Sequence, residues 1–175
     1  SSLLFNDTNQ STNPSQRPTN KWPFDGQCGP RRDLQDILEL QCRDVFTANA
    51  CKLLFSQDFR EHVAGMSLME RAFEEDGEAT IARLPTCVDL ILRYLTIRLF
   101  DSNTAVLLKC LDVLERCLQA MDTGNVRMVE ADAVAFLPFF VTRLGEWREG
   151  GQRQRVRQTL RLLCRVYPAS KLFNH

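Results

Sequence analysis

The stretch Leu99-Phe100-Asp101-Ser102-Asn103-Thr104-Ala105-Val106-Leu107-Leu108-Lys109 decides the fold, because an apolar run ends in a short polar turn and an amphipathic helix restarts at once. Upstream, Leu84, Val88, Ile91, Leu92, Leu95 and Leu99 recur at steps of three and four, which places them on one face of a helix. Downstream, Leu107, Cys110, Leu111, Leu114, Cys117, Leu118 and Met121 repeat the pattern. Asp101, Ser102 and Asn103 carry short polar side chains that can accept hydrogen bonds from the open amides of the next helix's first turn. Two antiparallel helices joined this tightly form one repeat of a stacked array.

Working outward, the chain reads as helical from Pro30 onward, with no strand-like alternation bounded by turns. Six helices in three pairs are expected. The first pair covers about 31–46, with Leu34, Ile37, Leu38 and Val45 inward, and about 57–74, with Phe59, Val63, Met66 and Phe73 inward, joined through Cys51 to Ser56. The second covers about 82–100 and 103–121. The third covers about 130–145, with Val134, Leu137, Phe140, Val141 and Leu144 inward, and 152–167, with Val156, Leu160, Leu163 and Tyr167 inward. Each pair spans roughly forty residues, the period of HEAT-type repeats. Pro85 is expected in the first turn of its helix, where a missing amide costs little, and Pro138 inside the fifth helix, where it should kink it. After Pro168, residues 169–175 resemble the start of a further helix, and the array is expected to continue.

Residues 1–20 are rich in Ser, Thr, Asn and Gln and offer little to bury, so they are expected to be a disordered linker. Lys21-Trp22-Pro23-Phe24-Asp25-Gly26 then reads as an anchor on the first helix pair. At 175 residues, 44% apolar and 25% charged, the chain suits one domain with a sizeable core. Charged residues interrupt its most apolar region, so no membrane span is expected. With no basic start or long apolar stretch at the N-terminus, a cytoplasmic location is expected.

Seven cysteines without CxxC pairing read as small core residues in a reducing compartment, Cys28 in a loop being the exception. Formal net charge is zero, yet residues 1–80 hold 8 basic and 13 acidic side chains and residues 81–175 hold 14 and 9. The basic excess gathers at Arg143, Arg148, Arg153, Arg155, Arg157, Arg161 and Arg165. Lining one surface, these would attract an acidic partner; the alternative is a solvated helix face.

Catalytic patterns are missing. Of two histidines, His175 is terminal and His62 falls on an expected polar helix face, where a solvated or hydrogen-bonded role is commoner than catalysis. Gly150-Gly151 lacks a phosphate-loop context, no metal-ligand spacing appears, and capping explains Asp101 without a catalytic role. The chain therefore reads as a non-enzyme without cofactor.

With these residues assembled, the sequence resembles a TOG domain of the multi-TOG microtubule polymerases. The resemblance rests on residues 54–62 (LFSQDFREH), 88–115 (VDLILRYLTIRLFDSNTAVLLKCLDVLE) and 166–173 (VYPASKLF), with the KWPFDGQCGPRR lead-in. It runs from about residue 21 to the end and is nearer to the fifth TOG domain than to the first two. It implies an all-α solenoid of HEAT repeats, a TOG-type paddle of which residues 21–175 form the N-terminal half. It also implies that the turns inside each repeat contact αβ-tubulin or the microtubule lattice and support microtubule growth. Carried over by position, the implied contacts are Leu54, Phe55, Ser56, Asp58 and Arg60 in the first turn. Asp101, Ser102, Asn103 and Lys109 belong to the second, and Trp147, Arg148, Arg153 and Arg155 to the third. The early TOG domains have a Trp followed by a basic residue in the first turn, whereas Phe55-Ser56 stand here; this departure suggests lattice preference over tight binding of free tubulin. A monomer within a longer multi-TOG chain, at the cytoskeleton, spindle and centrosome, is implied, with no membrane or nucleic-acid partner. Two alternatives stay open: a HEAT scaffold for a spindle or cytoskeletal adaptor without tubulin contact, and an acidic-peptide or nucleic-acid binder. Few aromatics accompany the arginines, which ranks nucleic acid lowest.

Overall fold

A computed structural model of the chain describes residues 2–7, 17, 32–146 and 152–167. Seven helices occur among them: α1 (Arg32–Cys42), α2 (Ala48–Leu54), α3 (Phe59–Glu75), α4 (Gly77–Arg98), α5 (Thr104–Thr123), α6 (Glu130–Glu146) and α7 (Arg153–Val166). Helices α1, α4 and α6 pack side by side in one layer, and α3, α5 and α7 in the other, with α2 on α3 and α4 on α5 joining the layers. This is the α-solenoid of HEAT-type pairs implied by the apolar periodicity.

Helices α3, α5, α6 and α7 lie within two residues of their expected spans. The first repeat differs. Its first helix stops at Cys42 and a second, α2, begins at Ala48, where a linker to Ser56 was expected. Thr47 is extended, and its hydroxyl accepts from the Ala50 amide, which caps α2. The break has a cause outside the helix, because the backbone of residues 4–6 pairs with it: Thr47 N donates to Leu4 O and Asn6 N to Val45 O, each at 2.9 Å. Leu4 and Phe5 are buried there, Phe5 beside Phe46 with ring centroids 5.9 Å apart. The linker expected over 1–20 therefore does not hold at its described residues. Arg17, also buried, pairs with Asp89 at 2.5 Å.

Helix α4 is the other departure. It starts at Gly77, directly after α3, so Pro85 lies well inside it rather than in its first turn. Its central stretch is buried on nearly every side, from Cys87 through Ile97, as expected of a helix between two repeats. Phe59, Ile37 and Val141, expected inward, are instead 44%, 37% and 49% exposed, while Phe136, Phe139 and Phe140 fill the core under α6. Pro138 lies inside α6 as expected. The expectations for the side chains of Val134 and Leu144, the 21–31 lead-in and residues 168–175 lie outside the described residues.

Helix α5 ends in a motif that the sequence spells out. Gly124 caps it, Asn125 takes the left-handed conformation (φ 55°), Asn125 N donates to Asp122 O and Val126 N to Met121 O at 2.8 Å. Of the cysteines, Cys42, Cys51, Cys87, Cys110 and Cys117 are free and buried, whereas Cys164, expected in the core, is exposed; Cys28 lies outside the described residues. Burial pushes the five buried thiols up, that of Cys51 to about 11 and that of Cys87 to about 12, so they are inert core groups.

Candidate functional site

Three links run from first-layer to second-layer helices: residues 55–58 between α2 and α3, 99–103 between α4 and α5, and 147–152 between α6 and α7. The layer order places the first two at one edge of the solenoid. Of the third link only residue 152 is described, and Trp147 and Arg148 lie outside the described residues.

In the first link, Asp58 caps α3. Its carboxylate accepts from the Arg60 amide at 2.9 Å and pairs with the Arg60 guanidinium at 3.0 Å. Those bonds hold the Asp58 carboxyl below its usual range, and they leave Arg60 mostly exposed. Ser56 Oγ accepts from the Asp58 amide at 3.0 Å. Leu54, implied as a contact, is fully buried and belongs to the core. Phe55 is half-buried, edge-on to Tyr94 with centroids 5.5 Å apart. The exposed apolar group of this link is Phe59, with Gln57 and Arg60 beside it.

In the second link, the cap is Asn103. Its Oδ1 accepts from the Ala105 and Val106 amides at 2.9 and 3.3 Å, while Asp101 Oδ1 accepts from the Asn103 amide at 2.9 Å. The DSN triplet is thus a nested turn that starts α5, with Ser102 left exposed at its tip.

The links are joined through carbonyls that helix ends leave open. Tyr94 Oη, fully buried, donates at 2.7 Å to the carbonyl of Leu54, the last residue of α2. Arg143 Nε donates at 2.7 Å to the carbonyl of Leu99, the residue after α4, and its guanidinium lies over the Phe100 ring. The first helix of the second repeat and that of the third therefore each satisfy an orphan acceptor in the repeat before. His62, expected on a polar face, is buried between the first two links, at Ser56 O and Arg98. The sequence places Arg143 in the basic cluster and Tyr94 in an apolar run but gives neither this role, since only packing brings them to residues 40 and 44 positions away.

Two implied contacts are engaged inside the molecule. Lys109 pairs with Glu70 of α3 at 3.3 Å and with Asp112 at 3.9 Å. Arg155 pairs with Glu115 at 3.0 Å and with Asp112, both on α5. With Arg116 bound to Glu74 at 2.5 Å, these make an ionic ladder across α3, α5 and α7. Arg153 is exposed on the first turn of α7, and Arg157 and Arg161 are exposed further along the helix. The arginine cluster is therefore divided among the edge, the ladder and solvent.

No protein-family model matches the chain. Mini spindles of Drosophila melanogaster is 30% identical over 159 residues, covering 89% of this chain and 7% of that protein. MOR1 of Oryza sativa subsp. japonica is 27% identical over 174 residues, covering 98% and 8%. Zygote defective protein 9 of Caenorhabditis elegans is 24% identical over 153 residues, covering 87% and 10%. The chain thus spans a tenth or less of the length of these relatives. A solved structure concerned with TOG–tubulin binding specificity in microtubule dynamics and mitotic spindle formation superposes with a TM-score of 0.76 at 27% identity, over 89% of this chain and 60% of that one. The TOG domain structure of Zyg9 from C. elegans superposes at 0.79 and 23% identity, over 95% and 61%, and shares the fold. The two-layer solenoid, the sequence similarity and the superposition together support a TOG domain.

Proposed function

We propose that the chain is a non-enzymatic tubulin-binding module that meets αβ-tubulin with its intra-repeat edge and supports microtubule growth as one unit of a longer multi-TOG protein at the cytoskeleton, spindle and centrosome. The observation that carries this reading is the edge itself. Two links are bonded into one strip, and their exposed groups are Gln57, Phe59, Arg60 and Ser102. A flat apolar ring beside an exposed arginine suits an acidic protein surface, since aromatic and Arg side chains supply most anchors at interfaces. Of the residues implied by resemblance, Ser56, Asp58, Arg60, Asp101, Ser102 and Asn103 sit at this strip; Arg153 extends it onto α7. Lys109 and Arg155 act through the ladder, Leu54 and Phe55 through packing. Phe55-Ser56 in the first turn, where the resemblance implies a Trp followed by a basic residue in the early TOG domains, supports a preference for the lattice, with linkage to other domains raising the effective concentration.

The test is co-migration with αβ-tubulin and co-pelleting with microtubules. Phe59→Ala/Arg60→Ala, two largely exposed changes that keep the Asp58 cap, is expected to weaken association by about tenfold or more at unchanged helicity. Unchanged association in both assays would remove the edge from the reading.

A further inference from the structure

His62 lies one turn into α3, 7% exposed, with both ring nitrogens engaged. Nε2 is 2.5 Å from the carbonyl oxygen of Ser56, and Nδ1 is 3.2 Å from Arg98 Nη1. A guanidinium only donates, so Nδ1 is the acceptor and Nε2 carries the hydrogen given to Ser56. The ring is therefore neutral and in one tautomer. Arg98 continues to Asp101 Oδ2 at 3.4 Å and lies over the Tyr94 ring at 5.3 Å, and Asp101 Oδ1 holds the Asn103 amide. A single path of bonds thus runs from the Ser56 carbonyl, through one imidazole, to the cap of α5.

We propose that His62 is the positioning residue of the intra-repeat edge: as the neutral Nε2–H ring it holds Ser56 of the first turn and Asn103 of the second in one register, so that both turns meet a single partner surface. This rests on the edge being the tubulin-binding surface. A second proton on the ring would replace the Nδ1 acceptor by an N–H aimed at the Arg98 guanidinium, and the link would open. The charged groups facing the ring are Arg98 from α4, Asp101 from the second turn and Asp58 from the start of α3. Burial first and Arg98 second hold the imidazole below its usual range, against the Ser56 carbonyl, Asp101 and Asp58, which favour the proton. The link is therefore closed at neutral pH and opens in acid.

The experiment is nuclear magnetic resonance on the ¹⁵N-labelled chain, from about pH 7.5 to about pH 5.5, read together with tubulin association of His62 variants. The expected spectrum has a pyrrole-type Nε2 and a pyridine-type Nδ1, and the Ser56 and Asn103 amides shift with the midpoint of His62 while the Thr159 amide in α7 does not. His62→Phe is expected to lose about tenfold in tubulin association, and His62→Gln, which restores one donor, to recover part of it at unchanged helicity. A hydrogen on Nδ1, or an Asn103 amide indifferent to the His62 titration, overturns the proposal, and this readout needs only the unaltered chain. If Phe59→Ala/Arg60→Ala leaves association intact, the edge reading falls while the coupled titration can stand. If that double variant weakens association but the titration is uncoupled, the positioning role alone falls.

Discussion

Tyr94 shows how one hydroxyl can join two repeats. Its Oη reaches the Leu54 carbonyl at 2.7 Å from a fully buried position, so Tyr94→Phe leaves a buried acceptor without its donor. A loss of about 1–2 kcal/mol is expected in urea unfolding, with the midpoint shifted and the slope unchanged. Gly65 works through what it lacks. A Cβ there would meet Leu54 Cδ2 at 2.8 Å and the Leu54 amide nitrogen at 3.1 Å, the latter backbone that cannot rotate aside. Gly65→Ala is expected to push α2 off α3 at a cost of about 1–3 kcal/mol, read by the same unfolding curves. Neither role was legible in the sequence. Tyr94 sits within an apolar run that periodicity assigns to the core, and Gly65 within a helix pattern that tolerates it; only the approach of α2 to α4 and to α3 gives them their partner, Leu54.

At the scale of the element, the second turn was legible almost in full. Its polar triplet sits between two apolar helices of the right period, and capping chemistry dictates what Asp101 and Asn103 do. Asn103→Ala is expected to cost about 1 kcal/mol in thermal unfolding, while Asn103→Asp keeps the cap and most of the stability. The missed element is α2. Seven residues are too few to show a period, and the break that creates α2 is imposed by residues 4–6 pairing with 45–47, which no local pattern announces. The early start of α4 was hidden similarly, because Asp76-Gly77 reads as a turn and is used as one within a near-continuous helical run. Helix α6 carries a pH-dependent cost. Burial, with Asp89 adding, pushes the Asp132 carboxyl up to about 6, against Arg93 and Arg17. A raised carboxyl favours the folded state below the ordinary carboxylate range, and that contribution is lost as pH rises through about 6. Asp132→Asn is therefore expected to raise stability by about 1–2 kcal/mol at pH 7.5 and to change it little at acid pH, measured by unfolding at both.

Across the whole molecule, the charged residues divide between a salt-bridge ladder that holds the solenoid and the turn edge proposed to meet tubulin. Sequence could place the arginines at the basic end but not assign them, because Arg155 differs from Arg153 only in which side of α7 faces the acids of α5. Arg155→Ala is expected to loosen α7, with a lower unfolding midpoint that high salt reproduces in the unaltered chain, and to leave tubulin association at the first two turns intact. The same logic separates Lys109 from Asn103, neighbours in sequence whose side chains serve the ladder and the edge respectively. The most direct measurement is photo-crosslinking to αβ-tubulin from a reactive side chain placed either at Ser102, exposed on the intra-repeat edge, or at Arg127, exposed in the link between repeats at the other edge. Crosslinks to tubulin from position 102 and none from position 127 are the expected result. Crosslinks from 127 with none from 102 would contradict the assignment of tubulin binding to the turns inside the repeats.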